Sequence, residues 1–281
     1  MNLATQIEFV AKNRTLTTNV FNNPYANAFN ESANGTGHWD DTKLNDHVWE
    51  RKYEVDSLCA PLYLGYTYWK NTGIDAIFTK TYHDMISIIV ETFTTEQDHE
   101  NSEYYFRRYD DVKTDKLPDR GKGRPVNITG MTWSGFRPSD DCCKFGYLIP
   151  ANMMAVTAFG YAADICRECL QDEVLAIRCD ILAEEIQDGI LDYGIVDHPK
   201  YGRIYAYETD GYGNYNLMDD ANSPSLLAMP YLDYCDKEDV LYEAINLCQK
   251  EILYQNFGLF RLCSGLFPPN SGHLPDLRLI E

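Results

Sequence analysis

Three stretches of this sequence place carboxylates where chemistry could use them. Residues 132–154, "TWSGFRPSDDCCKFGYLIPANMM", carry Trp133, Arg137 and the adjacent pair Asp140 and Asp141 just ahead of a run that reads as a buried helix. Upstream, residues 49–56 ("WERKYEVD") supply Glu50, Arg51, Glu54 and Asp56. Downstream, "GRIYAYETDGYGNYNLMDDANS" supplies Glu208, Asp210, Asn214, Asp219, Asp220 and Asn222. An acid near a helix start is ordinarily a cap, worth about 1 kcal/mol. One cap per helix accounts for one acid. An Asp pair with an Arg or Asn beside it, occurring twice, needs something else, because like charges that close repel.

The chemistry that fits is glycoside hydrolysis. Asp, Asn and Glu grip sugar hydroxyls, while Trp and Tyr cover the apolar face of the ring. Cleavage needs one protonated carboxyl to assist the leaving oxygen and one ionised carboxylate. If the second group activates water, the two stand about 6.5–9.5 Å apart and configuration inverts. Two adjacent acids also offer a way to raise one pKa, keeping one carboxyl protonated near neutral pH.

Other chemistries find less support. There is no GxSxG and no P-loop, and Gly211-Tyr212-Gly213 is not a complete dinucleotide fingerprint. The 6 histidines lack metal-ligand spacing, so no metal or other cofactor is expected. His38, in a polar loop beside Trp39 and Asp40, is a candidate sugar contact. A net charge of −19 excludes nucleic acid or an anionic membrane surface as a partner held by bulk charge. The 9 cysteines are scattered, and the Cys166/Cys169 pair falls inside a helical pattern, which reads as buried thiols. With no signal peptide pattern and no apolar span long enough for a bilayer, a cytoplasmic, reducing location is expected.

The elements that must position these residues are helical. The pattern predicts about seven helices. They cover residues 3–20, 57–71 (with Gly73 as stop), 75–92 (capped by Asp75), 150–170 and 172–194, with two more starting at Pro224 and Asp236. The second to seventh pair into three hairpins, each preceded by a long polar loop. Short β pieces are expected at 104–109 and 203–207. The order reads as all-α, an α/α toroid of helical hairpins whose long loops emerge at one end and converge there, with an irregular helical bundle as the alternative.

At these residues the chain resembles glycoside hydrolase family 125. The matching blocks are "PYANAFN" (24–30), "WERKYEVDSLC" (49–59), "WSGFRPSDD" (133–141), "FGYLIPANM" (145–153) and "LMDDANSPSLL" (217–227). The resemblance implies an exo-acting α-1,6-mannosidase, metal-independent and inverting, on an (α/α)6 barrel. It implies a general acid at Asp140 or Asp141, with Asp140 preferred. It implies a sugar pocket that includes Asn27, Glu50, Arg51, Trp133, Arg137, Asp219, Asp220 and Asn222. The substrate would be a mannose-containing oligosaccharide or N-glycan fragment. The family's early Arg-Asp block and its late Glu general base find no counterpart. The expectation is therefore a partial (α/α)6 toroid, an incomplete catalytic domain over 1–254, an irregular tail over 255–281 from a non-native reading frame, and little or no mannose release by the chain alone. The alternative is a non-catalytic remnant that at most binds mannosides.

Overall fold

The run following the Asp pair is rich in alanine and almost wholly apolar, which suits a helix closed in by neighbours on most sides. In the computed structural model, which describes residues 1–29, 47–109 and 111–256, it is the central helix. Six helices longer than one turn are found among the described residues. They are α1 (Leu3–Asn22), α2 (Val55–Thr72), α3 (Lys80–Glu96), α4 (Ile149–Ile165), α5 (Glu173–Tyr193) and α6 (Val240–Asn256). Helix α4 packs most extensively on α5 and then on α2. Its small residues Ala151, Ala155, Ala158 and Ala162 are buried and let those neighbours come close.

Local signals explain most boundaries. Gly73 ends α2 at φ 70°, a left-handed position that costs glycine little. Asp172 opens α5 by accepting from Leu175 N–H. Two expected starts move. Asp75 heads only a turn, closed by Phe78 N–H to its carbonyl, and α3 begins at Lys80. The last helix starts at Val240 because Asp239, not Asp236, accepts from Leu241 N–H and Tyr242 N–H.

The helix expected from Pro224 is a single 3₁₀ turn, Leu226–Ala228. Pro230 has no N–H to extend it, and Asp233 turns the chain away at φ 56°. The third hairpin is thus one turn followed by one helix. Residues 104–109 form no strand, whereas the second β piece does form. Among the strands, β1 (Ala28–Phe29) pairs with β2 (Val48–Glu50). Strand β3 (Tyr147–Leu148) pairs with β6 (Glu208–Thr209), which also takes β7 (Tyr215–Asn216). Strands β4 (Ile195–His198) and β5 (Gly202–Tyr205) make a hairpin. The β3–β6 ladder brings the second and third polar loops together. Residues 257–281 of the expected tail lie outside the described residues.

Asn152 fastens the second loop to α4. Fully buried, it accepts from Thr132 N–H (2.9 Å) and donates to the Thr132 and Leu148 carbonyls (3.0 Å each). Two residues before Thr132, Gly130 lies so close to α5 that a Cβ there would meet the Glu185 carbonyl oxygen at 2.6 Å. Asn152→Leu keeps the bulk but leaves Thr132 N–H and carbonyl groups buried without partners. The expected cost is about 1–3 kcal/mol for each such group, read as a lower denaturation midpoint in urea.

Candidate active site

The site grows from Asn27, just before β1. Its Oδ1 accepts from Lys52 N–H at 3.2 Å, which fixes the orientation of the amide. Nδ2 then faces the second loop and donates to Asp140 Oδ1 at 2.8 Å, with Glu54 Oε1 at 3.5 Å. The Lys52 ammonium, almost wholly buried, donates to the Asp140 carbonyl at 3.0 Å and lies 4.0 Å from Asp140 Oδ1. It also pairs with Asp115 and, at 3.6 Å, with Glu50. Arg108 joins Glu50 to Asp115 and closes that network. Glu50 is therefore an ion-pair member set behind the pocket. Arg51 is buried with its guanidinium 5.1 and 5.0 Å from the Tyr25 and Tyr104 rings.

Asp140 adopts a left-handed backbone, φ 64°, in a turn closed by Arg137 N–H to the Asp141 carbonyl and Asp140 N–H to the Arg137 carbonyl, both 2.9 Å. Aspartate tolerates that region better than most residues. Its side chain is 59% exposed, so the carboxyl faces open space. The Asp141 carboxylate has no hydrogen-bond partner among the described residues. The crowding of acids suggested by Asp140-Asp141 is found instead among Glu54, Asp56 and Asp140. Burial, then repulsion from Asp56, pushes the Glu54 carboxyl up to about 9. Burial, then the Asp140 charge, pushes Asp56 up to about 7.

Arg137 Nε donates to Glu208 Oε1 at 2.7 Å, and the guanidinium lies over the Tyr207 ring. Glu208 is fully buried; it also accepts from Lys144 N–H, Phe145 N–H and Asn216 Nδ2 at 3.1–3.3 Å. The Tyr207 hydroxyl reaches Asp220 Oδ2 at 3.4 Å, and Asp220 Oδ1 accepts twice from Asn222 at 3.0 Å. Asp219 instead accepts from Leu226 and Leu227 N–H; burial pushes its carboxyl up to about 6. Trp133, 1% exposed, stacks on His99 with ring centres 3.5 Å apart and offers no face to a ligand; it is packing beneath the loops. His38 lies outside the described residues.

A cavity of about 260 Å³ opens beside Asn27, lined also by Asp56, Ser57 and Ser223 with apolar Val20, Phe29 and Met154. The structure thus joins Asn27, Asp140, Arg137, Asp220 and Asn222 through contacts linking all three loops. It sets Trp133, Glu50 and Asp219 into supporting roles. The sequence alone assigns no pocket role to Lys52, Glu54, Asp56, Glu208 or Ser223, although Glu54, Asp56 and Glu208 fall within the acidic stretches. Glu54 and Asp56, flanking the start of α2 with Ser57 next, looked like ordinary capping. Glu208 sits in a strand, where only burial distinguishes it. Among the described residues no group of three or more His, Cys, Asp or Glu is placed to hold a metal ion.

Fold and site together define a helical-toroid protein with a hollow lined by Asn27 and Asp56, beside the meeting of its first and second loops. A family model described as metal-independent alpha-mannosidase (GH125) matches residues 6–255, and the chain belongs to that family. It is 37% identical over 247 residues to the meiotically up-regulated gene 157 protein of Schizosaccharomyces pombe, covering 78% of this chain and 47% of that protein. It is also similar to a solved structure of a Streptococcus pneumoniae protein from a family of metal-independent alpha mannosidases, a non-productive substrate complex with α-1,6-mannobiose. That match has a TM-score of 0.84 and 45% identity, and covers 86% of this chain and 57% of the other. The chain spans about half the length of the relatives it matches.

Glu54 and Asp56 bind protons more tightly folded than unfolded, where carboxyls titrate near 4. Their contribution to stability is therefore full below about pH 4 and is lost as pH rises through the folded values of about 7 and about 9. The melting temperature is expected to fall between about pH 6 and pH 9, and Glu54→Gln, which mimics the protonated acid, to flatten that fall.

Proposed function

We propose that this chain forms the mannose-binding and proton-donating site of an exo-acting α-1,6-mannosidase working with inversion. The observation that carries the reading is the meeting of the first and second loops at Asn27 and Asp140. These residues stand 113 positions apart in sequence, beside the cavity. The amide of Asn27 occupies Asp140 Oδ1, so Oδ2 is the oxygen free to carry a proton to the leaving glycosidic oxygen. The α-1,6-mannobiose held by the S. pneumoniae protein supports the linkage, and a terminal mannose of an oligosaccharide or N-glycan fragment is the substrate proposed. All eight cysteines among the described residues are free thiols, which supports a reducing, cytoplasmic setting.

A second reading is binding of mannosides without catalysis. The two are separated by measuring mannose release and calorimetric binding with α-1,6-mannobiose, in EDTA and without it. Under the first reading, binding and release ignore EDTA, and Asp140→Asn lowers release by about 100-fold or more. Binding with no release selects the second reading, and absence of both rejects both.

A further inference from the structure

The turn that carries Asp140 is open to solvent and left-handed, yet one interior residue grips it from two directions. Asp140 has φ 64° and a side chain 59% exposed. The Lys52 side chain is only 4% exposed, and its ammonium donates to the Asp140 carbonyl at 3.0 Å. The main-chain N–H of Lys52 donates to Asn27 Oδ1 at 3.2 Å, which directs the other end of that amide to Asp140 Oδ1 at 2.8 Å.

A buried ammonium must be compensated, and this one is. Lys52 and Arg108 face Glu50 and Asp115, so the ion network holds two charges of each sign. Charge balance therefore does not explain why the ammonium also reaches the Asp140 carbonyl. What that contact does is hold a backbone conformation that few residues favour.

We infer that Lys52 is a positioning residue for the proposed proton donor: its ammonium pins the Asp140 carbonyl and fixes the turn from which the carboxyl reaches the glycosidic oxygen. The inference rests on the reading of Asp140 as that donor. In the step it serves, the proton passes from Asp140 Oδ2 to the glycosidic oxygen. Water takes that oxygen's place at the anomeric carbon and gives up a proton in turn. The aglycone leaves as an alcohol, and Asp140 is left as a carboxylate. The ammonium, 4.0 Å from Oδ1, offsets that new charge. Misplacing a reacting group by about 1 Å is enough to cost about 100-fold in rate.

Two substrates separate positioning from folding. The leaving sugar of α-1,6-mannobiose is an alkoxide unless it is protonated, whereas a dinitrophenyl α-mannoside releases a stable phenolate and needs no donated proton. Steady-state rates of the full chain on both substrates test the inference, with melting temperatures alongside. Lys52→Met keeps the main-chain N–H that orients Asn27 and removes the ammonium. It is expected to lower kcat on the mannobiose about tenfold or more, and kcat on the dinitrophenyl mannoside about twofold or less. Arg108→Met breaks the same ion network but leaves Lys52 in place, and any loss it causes is expected to be equal on the two substrates. If Lys52→Met does not fold, its combination with Asp115→Asn restores the charge balance, and the same bias against the mannobiose is expected. Equal losses on both substrates, no loss on either, or the same bias in Arg108→Met overturns the inference and leaves the reading of Asp140 intact. A wild type that cleaves only the dinitrophenyl mannoside, or neither substrate, overturns it together with the reading it rests on.

Discussion

The buried carboxylate of Glu208 is the constraint around which the loop end is organised. A lone ionised acid in the interior would cost several kcal/mol, so it must collect charge and hydrogens from its surroundings. It does so by drawing Arg137, two backbone N–H groups of the second loop and Asn216 onto its two oxygens. Those contacts clamp the third loop to the second in one register. The β3–β6 ladder continues the same clamp through the backbone, from Leu148 to Glu208. With that junction fixed, the turn carrying Asp140 has a defined place, and Asn27 and Lys52 of the first loop can meet it.

The cavity side is organised by the opposite kind of interaction. Glu54 and Asp56 crowd one another beside Asp140, and burial makes the charges of Glu54 and Asp56 costly. Lys52 offsets part of that crowding but is shared among Glu50, Asp115 and Asp140. Tension of this sort is common where selection keeps a site for ligand binding at the expense of stability. One half of the loop end is held by satisfied charges, and the other half is left short of partners.

Much of the fold was legible because the signals are local. The alanine-rich run of α4, the Asp172 cap and the Gly73 stop each act within a turn or two. The errors came where several local signals competed. Pro224 resembles a helix start, but Pro230 and the left-handed Asp233 end the path at once. Asp75 and Asp236 are plausible caps beside Thr79 and Asp239, and tertiary packing chose the later residue. The family blocks drew attention to Asn27 and Asp140, which the structure brings into hydrogen-bond contact. The sequence could not tell a wall residue from one beneath it: Trp133 and Glu50 have the right chemistry for a sugar pocket, yet depth decides their roles. Nor could it single out Asp56, whose Oδ1 is buried without a hydrogen-bond partner among the described residues.

The left-handed turn at Asp140 has a consequence for what this site can become. In that region of backbone space a short side chain that bonds locally is tolerated, and longer or branched ones are strained. Aspartate over glutamate at the proposed proton donor is then favoured by main-chain shape as well as by acidity. Moving the acid outward by one methylene would place glutamate in a left-handed backbone at a cost of about 1–2 kcal/mol, with no short side chain to bond locally. Divergent copies of this scaffold have an easier route to losing that carboxyl, through asparagine or glycine, than to replacing it.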